Sequence, residues 1–354
     1  MKRCLCCVLV LCLCLSLTAC DGLVPVEETG ELQKFSEYAF DYFDTATTIT
    51  GYEKTKEDFD RVADEILRQL KEYHQLYNIY LRYDGINNLC TINDLTDGVH
   101  ATVPVDQKII DLLLYAREMC WKTNGLTNVA MGSVLKLWHD HRTVGMDDPA
   151  KATIPSMEAL REAAQHTAID GMVIDEANRT VTLTDPQMRL DVGAIAKGYA
   201  VEQIARWLEQ EGKEGYILNV GGNVRTIGHK PDGSAWQVGI ENPEDTSADY
   251  LAVLELSGQA LVTSGSYQRY YIVDGKSHHH IIHPDTLMPA EGLLSVSVVC
   301  ADSGMGDALS TALFCMTPAA GKALVESLDN VEAHWVAADG TRTASSGWSK
   351  YLKQ

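Results

Sequence analysis

The sequence predicts an α+β fold, built as a single compact domain of hairpins interleaved with helices. Three observations carry this. Long stretches with apolar residues at helical spacing alternate with pairs of short strands, not with single strands. Turn dipeptides fall inside those pairs. No internal repeat, low-complexity tract or Pro/Gly/Ser-rich linker divides the chain. A doubly wound parallel sheet would need one strand per crossover helix, so segregated hairpins favour α+β.

The chain opens with a leader. Lys2 and Arg3 precede an almost wholly apolar run from residue 5 to 17, too short and wrongly flanked for a stable membrane span. Residues 1–19 therefore read as a signal peptide. It ends in Leu17-Thr18-Ala19-Cys20, which resembles a bacterial lipobox and implies cleavage before Cys20 and lipidation of its thiol. That would tether the protein, extracytoplasmic, to the cell membrane without spanning it. Residues 20–37 read as a lipidated polar tether and 38–354 as the globular domain.

Two helices come next. "TKEDFDRVADEILRQLKEYHQLY" carries Phe59, Val62, Ile66, Leu70, Tyr73 and Tyr77 at helical spacing. "DQKIIDLLLYAREMCWKTNG" is a second helix, stopped at Gly125. "MVIDEANRTVTLT" reads as strand, turn, strand. "LDVGAIAKGYAVE" reads as a strand through Leu190 and Val192 that bends at Gly193 into a helix with Ile195, Tyr199, Ile204 and Leu208 near one face. "YILNVGGNVRTIG" and "SYQRYYIVDGKSHHHIIHP" are hairpins, the second turning at Asp274-Gly275. "LLSVSVVCA" is a strand, followed by a helix from about Asp307 to Met316.

Composition excludes several functions. The net charge of −20 becomes −22 once Lys2 and Arg3 leave with the leader. Such a surface repels nucleic acid, and a polyanionic ligand would need local cations or a metal. Six of the ten cysteines lie at or before Cys20. Cys90, Cys120, Cys300 and Cys315 form no CxxC, so they read as buried thiols, not as a disulfide framework or zinc site.

Four short constellations could carry chemistry. In "DVGAIAKG", Asp191 and Lys197 flank a bend whose helix offers free N–H groups to an anion. A strand-to-helix corner with a solvated lysine meets the same spacing. "NVGGN" could form an N–H nest for phosphate or a plain two-glycine turn. "SHHHIIH" would place His278 and His280 on one strand face, and His279 and His283 on the other. Zinc ligation, general base catalysis and partly exposed bystanders are all compatible with it. "GDALST" sets Asp307, Ser310 and Thr311 on adjacent turns at a helix start. Their oxygens suit Mg²⁺, while a capping Asp307 and a space-filling Thr311 would look alike.

Taken in order, "LDVGAIAKGYAVE", "LNVGGNVRTIG", "WQVGIENP", "VTSGSYQRYY", "HHIIHPDTLMP" and "DALSTALF" resemble the ApbE family of FAD:protein FMN transferases, from about Phe43 to the C-terminus. The resemblance implies a T-fold-like domain. It also implies Mg²⁺-dependent cleavage of FAD, with transfer of FMN to a threonine or serine of a target protein and release of AMP. By resemblance, Asp191 and Lys197 hold FAD, and Ala194, Asp307 and Thr311 hold the metal with Ser310 nearby. Ile282 touches the flavin nucleotide, and His280 matches the histidine near the reacting phosphate. Phe43, Tyr83, Leu126, Thr127 and Asn128 map onto further flavin contacts. There are departures. His283 stands where the family usually has aspartate, Leu287 where it has glycine, and Asn128 where it has aspartate. A Mg²⁺-dependent FAD pyrophosphatase and a non-enzymatic flavin-binding lipoprotein are the alternative expectations.

Overall fold

The computed structural model describes residues 30–95, 98–99, 101–244 and 250–353, and Leu32–Gln354 form one compact unit. The leader, Cys20 and most of the proposed tether lie outside the described residues. The chain runs β1 (Gln33–Tyr42), β2 (Thr45–Glu53), α1 (Lys56–Tyr77), α2 (Leu89–Leu95), β3 (Thr102–Pro104), α3 (Gln107–Lys122), α4 (Gly132–Asp147) and α5 (Met157–Ala164). It continues as β4 (Met172–Asp175), β5 (Thr180–Leu183), α6 (Ala196–Gln210), β6 (Tyr216–Val220), β7 (Asn223–Ile227), β8 (Trp236–Ile240), β9 (Ala252–Leu256) and β10 (Ala260–Gly265). It closes with β11 (Tyr270–Val273), β12 (Lys276–His279), β13 (Leu293–Cys300), α7 (Ser303–Phe314), α8 (Pro318–Glu326), β14 (Glu332–Ala337) and β15 (Arg342–Ala344). The mixed α+β class is as expected. The domain, however, begins with β1, so residues 33–37 belong to the sheet and not to the tether.

Eight strands form an antiparallel sheet in the order β1-β2-β6-β7-β10-β13-β14-β15. Its two faces are covered differently. Leu218, Val296 and Val298 point into the main core with α1, α6 and α7, while Val224, Leu261 and Val299 pack under the β8–β9 hairpin with Trp236 and Leu254. A strand buried on both sides has no solvent face, which is why β13 reads as a nearly unbroken apolar run.

The first two helices marked in the sequence, α1 and α3, form where they are expected. Thr55 caps α1 by accepting from the Asp58 N–H, and the expected Phe59–Tyr77 stripe is buried. Asp106 caps α3, and Gly125 ends that segment in the left-handed region, donating back to the Cys120 carbonyl. The β6–β7 hairpin turns through Gly221 and Gly222, both at positive φ, as a two-residue turn of this hand demands.

Two segments differ from expectation. Leu190 and Val192 do not lie in a strand. That stretch is extended but held by single bonds: Asn93 exchanges two hydrogen bonds with Leu190, and the Asp191 N–H donates to the Val129 carbonyl. Helix α7 starts at Ser303, capped by Asp302, so Asp307 is mid-helix and not at its start. A buried pair fixes that start. Glu202 of α6 binds Arg225 of β7 and also accepts from the Ser303 N–H, which pins α7 to α6 and to the sheet.

Candidate functional site

The crossing of α6 and α7 is unusually close because Gly198 sits in it. A Cβ there would lie 2.4 Å from the Ser303 carbonyl oxygen and 2.6 Å from Asp307 Cβ. Helix α6 has no side-chain cap of its own. Its Gly198 N–H donates to Asp307 Oδ2 at 2.7 Å, so the neighbouring helix supplies the cap. Gly198 lies in the first turn of α6, where N–H groups have no carbonyl of the helix to bond, and the first helical bond is the next one, from the Tyr199 N–H to the Ile195 carbonyl. Ala194 precedes the N-cap Ile195, so its carbonyl is not committed to the helix. Lys197 Nζ lies 3.3 Å from the other carboxylate oxygen of Asp307.

These groups open into a cavity of about 350 Å³. Leu126, Thr127, Asn128, Asp191, Ala194, Lys197, His280, Ile282, Asp307 and Thr311 all line it. Thr311 follows Asp307 by one helical turn, so both face the cavity. The opposite wall is apolar, made by Met131, Leu135, Trp138, Tyr271 and Ile282. A more open hollow of about 460 Å³, lined by Glu72, Asn87, Asp106 and Arg179 among others, contains none of these residues.

Three expected site residues lie elsewhere. Ser310 is fully buried beneath the cavity, its hydroxyl paired with Ser264 and the Asp307 carbonyl. Phe43 and Tyr83 gather around His74: the Phe43 N–H donates to Nδ1, and the Tyr83 hydroxyl lies 3.2 Å from Nε2. Phe43 borders the cavity through the adjoining Asp44 and Thr45. Thr127 and Asn128 are committed to the fold as well as to the wall. Thr127 donates to the Ala308 carbonyl of α7, and Asn128 bridges the Thr167 carbonyl and the Ala130 N–H.

Two expectations from the sequence need correction. The N–H nest at "NVGGN" is not available, because the Gly221 N–H donates to the Ala46 carbonyl and the Gly222 N–H to Asn219 Oδ1. The histidine alternation stops at the end of β12. His279 is turned into the protein: its ring meets Phe314 edge-on, Nε2 lies 2.7 Å from the Ala290 carbonyl, and Nδ1 accepts from the Ile281 N–H. His278 is buried between Trp138 and Tyr271. His280 has left the strand, and its Nδ1 lies 3.3 Å from the Arg269 carbonyl. The carbonyl can only accept, so Nδ1 carries the proton and Nε2 keeps its lone pair. Among the described residues no three His, Cys, Asp or Glu converge to hold a metal, which removes the zinc reading of the histidine run.

Electrostatics set the protonation states. Burial, then the nearby Arg269 and Arg142, lowers the His280 pKa to about 3. Burial raises Asp191 against the opposing pull of the Gly193 N–H, His139 and Arg142. Tyr80, His139, Arg142 and Arg269 line the same cavity and were not singled out from the sequence. One signal was there: Leu135, Trp138, His139 and Arg142 fall at i, i+3, i+4 and i+7, one face of α4.

The model of the ApbE family matches residues 43–335. An FAD:protein FMN transferase of Klebsiella pneumoniae (strain 342) is 30% identical over 282 residues, covering 78% of this chain and 82% of its own. One from Treponema pallidum (strain Nichols) is 33% identical over 261 residues, covering 70% of each. The crystal structure of an ApbE protein from Thermotoga maritima superposes with a TM-score of 0.79 at 28% identity, covering 91% of this chain and all of that one. The flavin transferase ApbE of Vibrio cholerae, at 24% identity, shares the fold with a TM-score of 0.74.

Proposed function

The chain belongs to the ApbE family and is a transferase, and on that premise we propose that it moves FMN from FAD onto a threonine or serine hydroxyl of a target protein, releasing AMP. The observation that carries this reading is the single cavity in which Asp191, Ala194, Lys197, His280, Asp307 and Thr311 meet the apolar Met131, Leu135, Trp138 and Ile282.

The donor set fits Mg²⁺. The Ala194 carbonyl ahead of α6, a carboxylate at Asp307 and a hydroxyl at Thr311 are hard oxygen ligands, and three of them leave positions for phosphate oxygens and water. When bound, the ion would neutralise the diphosphate and polarise it. Lys197 adds a positive charge beside Asp307. The ring of the flavin nucleotide rests on Ile282 and its apolar neighbours. His280 Nε2 takes the proton of the incoming hydroxyl. The hydroxyl oxygen forms the new bond to the FMN-side phosphorus. The bond from that phosphorus to the AMP oxygen breaks, and AMP leaves with the electron pair.

The test is incubation with FAD, Mg²⁺ and a candidate flavoprotein. Fluorescent protein bands on a denaturing gel support transfer. Free FMN and AMP without a labelled band would replace it with FAD hydrolysis. We also propose that Cys20 carries a lipid that holds the domain outside the cytoplasm. Each buried acyl CH₂ adds ~0.8 kcal/mol of membrane affinity. Cys20→Ser should therefore release the protein from membranes washed in high salt, and retention there would refute the anchor.

A further inference from the structure

Along the cavity face of α4, the apolar Leu135 and Trp138 give way to His139 and Arg142. Arg142 is half-buried, and its Nη2 lies 3.2 Å from His139 Nδ1. Tyr80 stacks on the same imidazole at 4.7 Å, with its hydroxyl 3.3 Å from Nδ1. That imidazole nitrogen accepts from the guanidinium and fixes its direction. Arg269, just ahead of β11, lines the cavity beside it. The two guanidinium groups repel each other, and both act on His280.

Neither arginine has an ion-pair partner among the described residues, whereas Lys197 in the same cavity is paired with Asp307. Asp191 acts on Arg142 through space without forming an ion pair. Holding two like charges together in a partly dry site is unfavourable until an anion joins them. A guanidinium fork matches two phosphate oxygens at once, which an ammonium cannot do. The lining carries three acids, Asp44, Asp191 and Asp307, against three bases, Arg142, Lys197 and Arg269, so with Lys197 committed to Asp307 the two arginines are the cations left to meet an anion.

Resting on the flavin-transfer reading, we propose that Arg142 and Arg269 form a phosphate clamp that grips the dinucleotide's diphosphate beside His280. The clamp would hold phosphate oxygens before reaction and meet the negative charge that gathers on the departing AMP oxygen. His139 and Tyr80 are positioning residues that aim Arg142.

The clamp is built from protein groups alone, so it can be read with the metal removed. FAD and riboflavin, which has no phosphate, are titrated in EDTA against the wild-type protein, Arg142→Gln, Arg269→Gln and the double variant. The wild type should bind FAD more tightly than riboflavin. Each substitution should weaken FAD about tenfold or more, the usual effect of losing a charge-assisted contact, and leave riboflavin unchanged. Unchanged riboflavin affinity also reports an intact fold. Three results would overturn the clamp: equal wild-type affinities, an unchanged FAD affinity in the double variant, or parallel loss of FAD and riboflavin. Absence of flavinylated acceptor with a clamp that reads as expected would instead refute the transferase reading.

Discussion

The backbone N–H of Gly198 donates to Asp307 Oδ2 at 2.7 Å, across the crossing of α6 and α7. This one bond caps α6 and orients the carboxylate proposed as a metal ligand. The local sequence thus explains its own pattern: glycine after Lys197 is needed for approach, not for a phosphate loop.

Gly198→Ala should therefore damage both fold and site. Its methyl would meet the Ser303 carbonyl and Asp307 Cβ, and neither can move without shifting α7. Overpacking of this kind costs about 1–3 kcal/mol. Denaturant unfolding should show that loss, and Mg²⁺ titration should show weakened binding in the fraction that folds. A variant with wild-type stability and metal affinity would mean the crossing is looser than described.

Asp307 can be dissected by two substitutions. Asp307→Ala removes both the cap and the charge, so stability should fall by about 0.5–2 kcal/mol. Turnover should fall roughly 10²–10³-fold, as when one preorganised electrostatic group is lost. Asp307→Asn keeps an oxygen for the Gly198 N–H and should restore most of the stability but little of the rate. Equal stability losses would show that the cap does not matter, and undiminished turnover in EDTA would exclude the metal role.

The parts of the fold legible in the sequence are those set by local periodicity and turn chemistry. The α1 stripe, the Gly125 stop and the hairpin at Asp274-Gly275 depend only on neighbours in the chain. The segment at Leu190–Val192 was misread because its partners are Asn93 and Val129, far away in sequence. The start of α7 was misread because Ser303, Gly304 and Gly306 look like helix breakers. They are small because α7 lies tightly on its neighbours: a Cβ on Gly306 would stand 2.8 Å from Val262. The site was legible as a set of motifs. Its apolar wall and its two arginines were not, since α4 reaches the cavity only through tertiary packing.

His279 and His280 test that distinction directly. Both ring nitrogens of His279 are engaged, so His279→Ala should leave buried partners unsatisfied and cost about 1–3 kcal/mol of stability with a mild effect on rate. His280 keeps a free Nε2, so His280→Ala should lose roughly 10²–10⁴-fold in single-turnover transfer while still binding FAD. If His279→Ala is the crippled enzyme at normal stability, the base has been assigned to the wrong ring.

Acid should weaken the fold through the same imidazoles. His280 falls from the ordinary 6.5 to about 3, and His139, His278 and His279 are also lowered, in each case first by burial. Between those two values the unfolded chain binds protons at His280 that the folded protein refuses, so stability rises with pH across the interval and levels off above 6.5. Urea midpoints measured from about pH 4 to about pH 7 should climb, and His280→Asn should flatten part of the climb. The sign carries over to the kinetics of the free enzyme. With His280 neutral throughout the physiological range, kcat/KM should show no rising limb centred near 6.5 from this residue. The arriving diphosphate then raises the ring's proton affinity by placing negative charge beside it, which makes it a better acceptor only when substrate is bound. A limb near 6.5 in kcat/KM that vanishes in His280→Asn would show an exposed imidazole, and the account of burial beside Arg142 and Arg269 would fail with it.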